Sequence, residues 1–192
     1  MASEGPNNGG TFGNDSAVGT ITWANPSYAE TSNDSRASAT LPLSESSYYL
    51  TAVDFGFTIP TDYTIVGVLA GVERNASDNF VLKDYTVRLI VDGTFSGDDK
   101  AKTDYWSITE GVQTYGGITD LWGLSLSYSQ INAADFGFAI SVKNYSPWVT
   151  NYAYVDHIYM TVYYEATDSP EILTQTIERS FRGVLRGVDR GI

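Results

Sequence analysis

The sequence predicts an all-β fold, an antiparallel β-sandwich of the jelly-roll type with a helical tail at its C-terminus. Apolar and polar residues alternate with a period of two over many short segments, which places successive side chains on opposite faces of a sheet. Clusters of glycine, proline, asparagine and aspartate separate these segments and have the backbone preferences of turns. Tyrosine is abundant, with 14 residues against eight phenylalanines and four tryptophans, and this composition is typical of strands.

The chain divides into three predicted parts. Residues 1–17 are rich in glycine, asparagine and serine and have few apolar side chains, so we expect a flexible arm. Residues 18–166 carry the alternating pattern and form the predicted sandwich of about eight to ten short strands. Residues 167–192 form a separate tail. The clearest alternation predicts strands at residues 85–91, 124–128 and 158–164, and in the first of these Tyr85, Val87, Leu89 and Val91 share one face.

A short internal echo lies within the predicted sandwich. The eight residues 52–59, AVDFGFTI, recur as AADFGFAI at residues 133–140. Alternation predicts that one face of each copy is buried in the core, and these faces consist of Val53, Phe55, Phe57 and Ile59, and of Ala134, Phe136, Phe138 and Ile140. We therefore predict two core strands in corresponding places, with Gly56 and Gly137 marking a bend, a bulge or a close backbone approach. Chance convergence on good strand sequence is the alternative, because eight residues are too few to establish a repeat.

The tail has the pattern of an amphipathic helix. Ser169, Pro170 and Glu171 supply an N-cap, a proline at the first helical position and an acid in the first turn. Apolar residues then recur every three to four positions. Glycines at 183, 187 and 191 each cost up to about 1 kcal/mol of helix propensity, so an extended arm is the alternative. We predict an assembly element that binds another subunit through Leu173, Ile177, Arg179, Phe181, Arg182, Val184, Leu185, Arg186, Val188 and Arg190.

Charge is distributed unevenly along the chain. Residues 1–178 contain seven basic and 22 acidic residues, a net charge of −15, whereas the last fourteen residues contain four arginines and one aspartate. An acidic body argues against nucleic-acid binding. No apolar run approaches the roughly 18 residues of a membrane span. The first residues lack the basic and apolar regions of a secretory signal, so we expect a soluble chain made in a cytoplasm.

Residue types that perform catalysis are not clustered. The chain has no cysteine, and its only histidine, His157, lies in a strand-like segment without a Gly-x-Ser-x-Gly motif. The two Asp-Phe-Gly triplets lack the other protein-kinase motifs and are interpreted as core phenylalanines in strands. No compact motif of alternating acids, as in jelly-roll glycosidases, is present. We therefore predict that the protein is not an enzyme and has no cofactor.

Two loop features are candidate binding positions. Asp98 and Asp99, with Asp84, Asp92 and Asp104 nearby in sequence, offer oxygen ligands for a loop Ca²⁺. A solvated acidic turn is the favoured interpretation, because no loop has the spacing of an EF-hand. Trp148 lies in the turn-rich segment 144–151, where burial is hard to arrange, so we interpret it as a surface contact residue. Trp122 is assigned to the core.

Several short motifs together resemble a group of uncharacterised jelly-roll proteins encoded in phage and prophage genomes. They are Thr22-Trp23-x-Asn25-Pro26, the Asp-Phe-Gly-Phe-x-Ile-Pro segment 54–60, the Tyr-Gly-Gly-x3-Leu-Trp-Gly segment 115–123, Asp135-Phe-Gly-Phe138 and the segment Val155-Asp156-His157-Ile158 with its closing Val162-Tyr163-Tyr164. The resemblance covers roughly residues 20–165 and is a general pattern. The closing segment also resembles the last strand of jelly-roll domains in carbohydrate-binding modules and virion surface proteins. This resemblance implies a domain without catalytic residues.

The preferred functional prediction is a non-enzymatic virion structural protein of a tailed phage, a capsid decoration or head-fibre component located in the virion. It would self-associate as a homo-oligomer and dock on the capsid or another virion protein. The alternative is a carbohydrate-binding or adhesive β-sandwich module with a glycan partner, for which an aromatic strip beside a loop Ca²⁺ is the discriminating feature. A hydrolase would require a cleft that holds two carboxylates at catalytic distance.

Overall fold

Strands account for most of the regular structure in the computed structural model, which describes residues 1–167. In chain order the strands are β1 Ala2–Asn8, β2 Thr11–Asp15, β3 Ala37–Leu41, β4 Tyr49–Val53, β5 Tyr63–Ala76, β6 Leu82–Val91, β7 Thr94–Ser96, β8 Gly111–Gly116, β9 Gly137–Asn144 and β10 Asn151–Ala166. A 3-10 helix, Pro26–Glu30, precedes β3, and a single helical turn, α1 Tyr128–Ile131, precedes β9.

The strands form two five-stranded antiparallel sheets. In the first sheet, β10 pairs with β5 along one edge and with both β1 and β3 along the other, and β8 follows β5. The second sheet has the order β2-β4-β9-β6-β7. The order β3-β10-β5-β8 facing β4-β9-β6-β7 is that of a jelly roll, to which β1 and β2 add one strand per sheet. The predicted all-β antiparallel sandwich is confirmed.

The core lies between the two sheets and consists of the inward faces of alternating residues. Ile158, Met160 and Val162 of β10 are fully buried, as the alternation of residues 158–164 predicts. Trp122 is also fully buried, and its indole N–H donates a 3.0 Å hydrogen bond to the carbonyl oxygen of Val68 in β5. This hydrogen bond satisfies the indole N–H in the buried core. The Trp122 ring itself packs against Phe138 in a T-shaped arrangement.

The echo residues meet in this core. Six of the predicted core residues are buried, namely Phe55, Phe57, Ile59, Phe136, Phe138 and Ile140. Their backbones differ, because residues 137–144 form β9 whereas β4 ends at Val53 and residues 54–60 are irregular. The prediction of two corresponding strands is therefore wrong for the first copy beyond Val53, and in the second copy only residues 137–140 lie in a strand. Val53 is only half-buried and Ala134 is exposed, so the face prediction is also wrong at these two ends.

Both echo glycines have the backbone roles that the sequence predicts. Gly56 has φ +66°, a left-handed conformation that bends the chain away from β4. Gly137 lies against β4, where an added Cβ would be 2.1 Å from the carbonyl oxygen of Ala52. The first is a bend and the second is a close backbone approach.

Three further sequence predictions are corrected by the structure. Residues 1–17 are not a flexible arm, because β1 pairs with β10 and β2 pairs with β4. Residues 124–128 are not a strand, because Ser127 caps α1 through a capping box with Gln130. Tyr85 does not share the buried face of Val87, because a β-bulge in the pairing of β6 with β9 between Asp84 and Thr86 shifts the alternation.

The predicted helical tail and its ten partner-binding residues lie outside the described residues, which end at Thr167. None of the helices in the described part of the chain has the length and apolar character needed to span a bilayer.

Candidate binding surface

Exposed aromatic rings cluster at the end of the sandwich where the loop 77–81 meets the loop 145–150. A backbone hydrogen bond of 2.9 Å from Tyr145 N–H to Val81 O joins these loops, and another of 2.9 Å from Ser77 N–H to Tyr152 O ties the first loop to β10. The rings alternate with two lysines, and we call this set the aromatic–lysine surface; it consists of Phe80, Lys83, Tyr85, Tyr105, Lys143 and Tyr145. All four of its rings are exposed, Phe80 to 77%.

The lysine ammonium groups lie over the rings of this surface. The Nζ of Lys83 is 4.2 Å from the centroid of Tyr105 and 5.6 Å from that of Tyr145. The Nζ of Lys143 is 5.7 Å from the centroid of Tyr145 and 5.4 Å from that of Tyr85. These distances are those of cation–π contacts, so the rings and the cations position one another.

The two lysines are direct cross-strand partners, Lys83 in β6 and Lys143 in β9. Like charges placed opposite each other on one face of a sheet destabilise it. Within residues 1–167, neither lysine has a carboxylate oxygen within 4.0 Å, whereas Arg36, Arg74, Arg88 and Lys100 all do. A protein whose body is strongly acidic therefore leaves two adjacent cations here without a carboxylate partner; Lys102 is the one other basic residue among residues 1–167 without one.

Trp148 lies in the loop 145–150, and its side chain is 85% exposed. The loop is held in place by Asn144, which is fully buried at the end of β9. The Asn144 amide donates to the carbonyl oxygens of Leu41 and Val149, each at 2.9 Å, and its Oδ1 accepts from the N–H of Ser146 at 2.8 Å. The backbone that presents Trp148 to solvent is thus tied to the sandwich from within.

A groove of about 200 Å³ begins at Tyr105 and runs along the start of β8. Its lining residues are Arg74, Tyr105, Trp106, Ser107, Thr109, Gly111, Val112 and Gln113. The guanidinium of Arg74 is packed against Trp106, with its Cζ 4.3 Å from the ring centroid. Because Tyr105 belongs to both features, the groove and the aromatic–lysine surface are contiguous.

A buried polar network lies under the groove and is centred on Asp84. One carboxylate oxygen accepts the indole N–H of Trp106 at 2.8 Å, and the other accepts the Tyr115 hydroxyl and the Lys102 N–H, each at 2.9 Å. Burial raises the pKa of Asp84, while Arg74, the Lys102 N–H and Tyr115 act to lower it. Burial and the Asp84 carboxylate together raise the pKa of Tyr115 well above its ordinary value, so this side chain stays a hydroxyl donor.

A second depression, of about 420 Å³, lies over the outer face of the second sheet and is lined by residues that include Val53, Ile90 and Phe95. Phe95 is stacked on the buried ring of Tyr49, with centroids 4.3 Å apart. Buried Tyr49 covers one face of Phe95, which leaves a single half-buried ring here, whereas the aromatic–lysine surface has four exposed rings. The depression is therefore the weaker candidate for an aromatic binding platform.

The loop aspartates that were considered for Ca²⁺ make other contacts. Asp98 is 3.5 Å from the ammonium of Lys100, and Asp99 accepts the backbone N–H groups of Val87 and Ala101. Asp84 is buried in its own network and is not part of the loop edge. These contacts give the Asp98 and Asp99 carboxylates partners within the protein.

The carboxylates that the described residues do bring together are Asp34, Glu110 and Asp156, with candidate ligand oxygens within 4.8 Å of one another. Arg36 already lies among them, with its Nε 2.6 Å from Glu110 and its Nη2 3.1 Å from Asp34. The arginine offsets part of the negative charge of these three carboxylates.

His157 lies within β10, and its Nε2 is 2.9 Å from the Oδ1 of Asn8 in β1. Burial lowers the pKa of this imidazole, while Glu73 and Asp156 act to raise it. The contact joins two neighbouring strands of the first sheet. The geometry therefore gives the only histidine a place in strand pairing.

Sequence reasoning identified Trp148 but missed every member of the aromatic–lysine surface as a site residue, and it missed Arg74. The members come from loops and strands up to 65 residues apart, from Phe80 to Tyr145. One local signal was available, since both Lys83-x-Tyr85 and Lys143-x-Tyr145 place a lysine and a tyrosine two residues apart. Nothing in the sequence indicated that these two pairs lie side by side.

Comparison with known proteins gives limited information. No protein-family model matches the chain, and no curated protein matches it. Two similar solved structures are the carbohydrate-binding module TmCBM61 in complex with β-1,4-galactotriose and a structure described as CBM4 structure and function. Both are 13% identical to this chain and have a TM-score of 0.39. The first match covers 78% of this chain and 86% of the other protein. The second match covers 68% of this chain and 85% of the other protein. This likeness is too weak to indicate a function.

Proposed function

We propose that this protein is a non-catalytic binding module that recognises a glycan through Trp148 and the aromatic–lysine surface. The observation that carries the proposal is the 85% exposure of Trp148 on a loop that buried Asn144 holds in place. A large apolar side chain in water is unfavourable unless a partner covers it, and its fixed backbone means that little ordering is needed on binding. Tryptophan and tyrosine give large rigid contact areas at low cost in conformational entropy.

The alternation of rings and cations favours a glycan over a protein partner. The core of a protein interface is usually a continuous apolar patch with few charges. Here each exposed tyrosine ring has a lysine ammonium over it, at 4.2 to 5.7 Å from the centroid. A sugar presents apolar C–H groups beside hydroxyls, so it can contact a ring and accept a hydrogen bond from a neighbouring ammonium at the same time.

Binding to a panel of soluble neutral and acidic polysaccharides, measured by isothermal titration calorimetry, tests the proposal. Trp148→Ala and Tyr145→Ala should each weaken binding at least tenfold, as truncation of a central anchor does. Tyr28→Ala removes a half-exposed ring of the 3-10 helix and is the matched control, with unchanged affinity expected. A panel with no binder, or equal affinities for the wild type and both surface variants, would overturn the proposal.

Assembly within a virion is a second proposal, and it is supported by the opposite charges of the two parts of the chain. The body has a net charge of −15, and the last fourteen residues have +3, so copies of the chain attract one another head to tail. Deletion of residues 168–192 should leave the β-sandwich folded and abolish self-association in sedimentation experiments. A truncated protein that self-associates as the full chain does would contradict this role.

A further inference from the structure

The guanidinium of Arg74 is buried and keeps unused hydrogen-bond donors. Its side chain is only 6% exposed, yet its Nε and Nη1 have no hydrogen-bond partner within the described residues. The Nη1 lies 3.4 Å from the Asp84 carboxylate, an ion pair without a hydrogen bond, and the same carboxylate accepts hydrogen bonds from Trp106, Tyr115 and the Lys102 N–H. Buried charged donors are normally paired, so an arginine in this state is an exception that needs a partner.

Arg74 lines the groove that opens beside Tyr105. Its guanidinium lies over Trp106, with the Cζ 4.3 Å from the ring centroid, so the cation and the aromatic ring are side by side in the groove lining. Ser107, Thr109 and Gln113 add hydroxyl and amide groups to the same groove. The groove thus combines one aromatic wall, one cation with unused donors and several neutral polar groups.

The two charged side chains of the aromatic–lysine surface, which adjoins the groove, are both cationic. Lys83 reaches over Tyr105 at the mouth of the groove, and its cross-strand partner Lys143 lies beyond Tyr145. Neither lysine is paired with a carboxylate in the described part of the chain. A ligand that runs across the rings into the groove therefore meets three cations in a body whose net charge is −15.

We infer that the glycan is acidic and that the groove takes a sugar carboxylate, held by the guanidinium of Arg74, while Lys83 and Lys143 hold neighbouring acidic units. This inference rests on the proposed glycan-binding function and specifies the ligand class. A carboxylate matches the planar guanidinium in geometry and charge, and hydrogen bonds between charged groups are about twice as strong as neutral ones. The acidic units held by Lys83 and Lys143 also relieve the repulsion between these two facing lysines. A uronic acid polymer, which carries one carboxylate on each sugar ring, has this chemistry.

Polygalacturonate and its fully methyl-esterified form are the paired probes, because they share one backbone and differ in charge. We expect the full-length protein to bind polygalacturonate at least tenfold more tightly than the ester, with an affinity that falls as NaCl rises. Lys83→Gln combined with Lys143→Gln should remove most of this preference. Arg88→Gln with Lys100→Gln makes the same charge change outside the surface and should leave the preference intact.

Arg74→Lys tests the groove itself, because it keeps the charge and removes the planar guanidinium. The expected result is a fivefold or greater loss of affinity for polygalacturonate with little change for the ester, and a thermal melt separates this from misfolding. If Arg74→Lys does not fold, the lysine double variant decides the matter alone. Equal binding of the two polymers, or stronger binding of a sulfated galactan than of polygalacturonate, would overturn the inference while the glycan proposal stands. Failure to bind any glycan would instead remove the proposed function.

Discussion

Single buried side chains determine how the candidate surface is presented. Asn144 makes three hydrogen bonds from a fully buried position, and all three hold the loop of Trp148 or the end of β3. Trp148 itself contributes little to the stability of the fold, because its ring is in water. The proposed binding role of Trp148 therefore depends on a residue that is fully buried.

Replacement of Asn144 by alanine should destabilise the protein and loosen the loop. The carbonyl oxygens of Leu41 and Val149 would lose their donor, and leaving buried groups unpaired costs about 1–3 kcal/mol each before water enters. We expect a lower melting temperature and a more mobile Trp148, measured by fluorescence anisotropy. Ser146→Ala is the milder comparison, since Ser146 Oγ accepts only the N–H groups of Trp148 and Val149. An Asn144→Ala protein with unchanged anisotropy would contradict the assigned role.

His157 gives the stability a pH dependence near neutrality. Its folded pKa is lowered by burial from the ordinary value of 6.5, so the unfolded chain binds the proton more readily than the folded chain. Stability should be complete above about pH 7 and fall as the pH drops through 6.5 toward the folded pKa. His157→Gln keeps a partner for Asn8 and should flatten thermal midpoints between pH 7 and pH 5.5, since no other histidine exists. An identical slope in both proteins would refute this explanation.

At the scale of elements, close backbone contacts and bulges decide where alternation is obeyed. Alternation predicted the buried face of residues 158–164 because β10 is long and paired along both edges. It failed at Tyr85, where one bulge re-aims the side chain outward and so makes it part of the aromatic–lysine surface. It also failed at residues 124–128, where the capping box of Ser127 and Gln130 starts a helical turn in a segment with strand-like alternation.

β4 and β9 approach each other closely at Gly137, where the residue has no side chain. A Cβ there would lie 2.1 Å from the Ala52 carbonyl oxygen, a backbone atom that moves only if β4 moves. Gly137→Ala should therefore cost about 1–3 kcal/mol or more in the free energy of unfolding. Gly111→Ala, at a strand position where a Cβ meets nothing within 4 Å, is the control and should be close to neutral. Equal urea midpoints for the two variants would show that the contact is not strained.

At the scale of the whole molecule, the N-terminal residues complete both sheets. β1 covers the edge of β10 over residues 159–164, and β2 covers the edge of β4 over residues 49–53. The segment contains few apolar residues, so its composition resembles that of a disordered arm. The segment is ordered because its backbone groups pair with the edges of β10 and β4.

Deletion of residues 2–15 should lower the melting temperature and cause aggregation. Without β1 and β2, the edges of β10 and β4 present unpaired N–H and C=O groups that can pair with other chains. Size-exclusion chromatography and a thermal melt measure both effects, with the full chain at the same concentration as reference. A monomeric deletion protein that melts at the same temperature would restore the interpretation as a flexible arm.

The sequence by itself determined the all-β class, the buried echo residues such as Phe55 and Phe136 and the exposure of Trp148, because these depend on local alternation and turn chemistry. Only the tertiary structure decided which strands are neighbours, that residues 2–15 are strands, and that Lys83 and Lys143 face each other. The same holds for the groove of Arg74, where the guanidinium lies beside an Asp84 carboxylate that accepts hydrogen bonds from three other groups. Such features arise from contacts between residues far apart in the chain, and a local pattern contains no information on which distant segment will supply the partner.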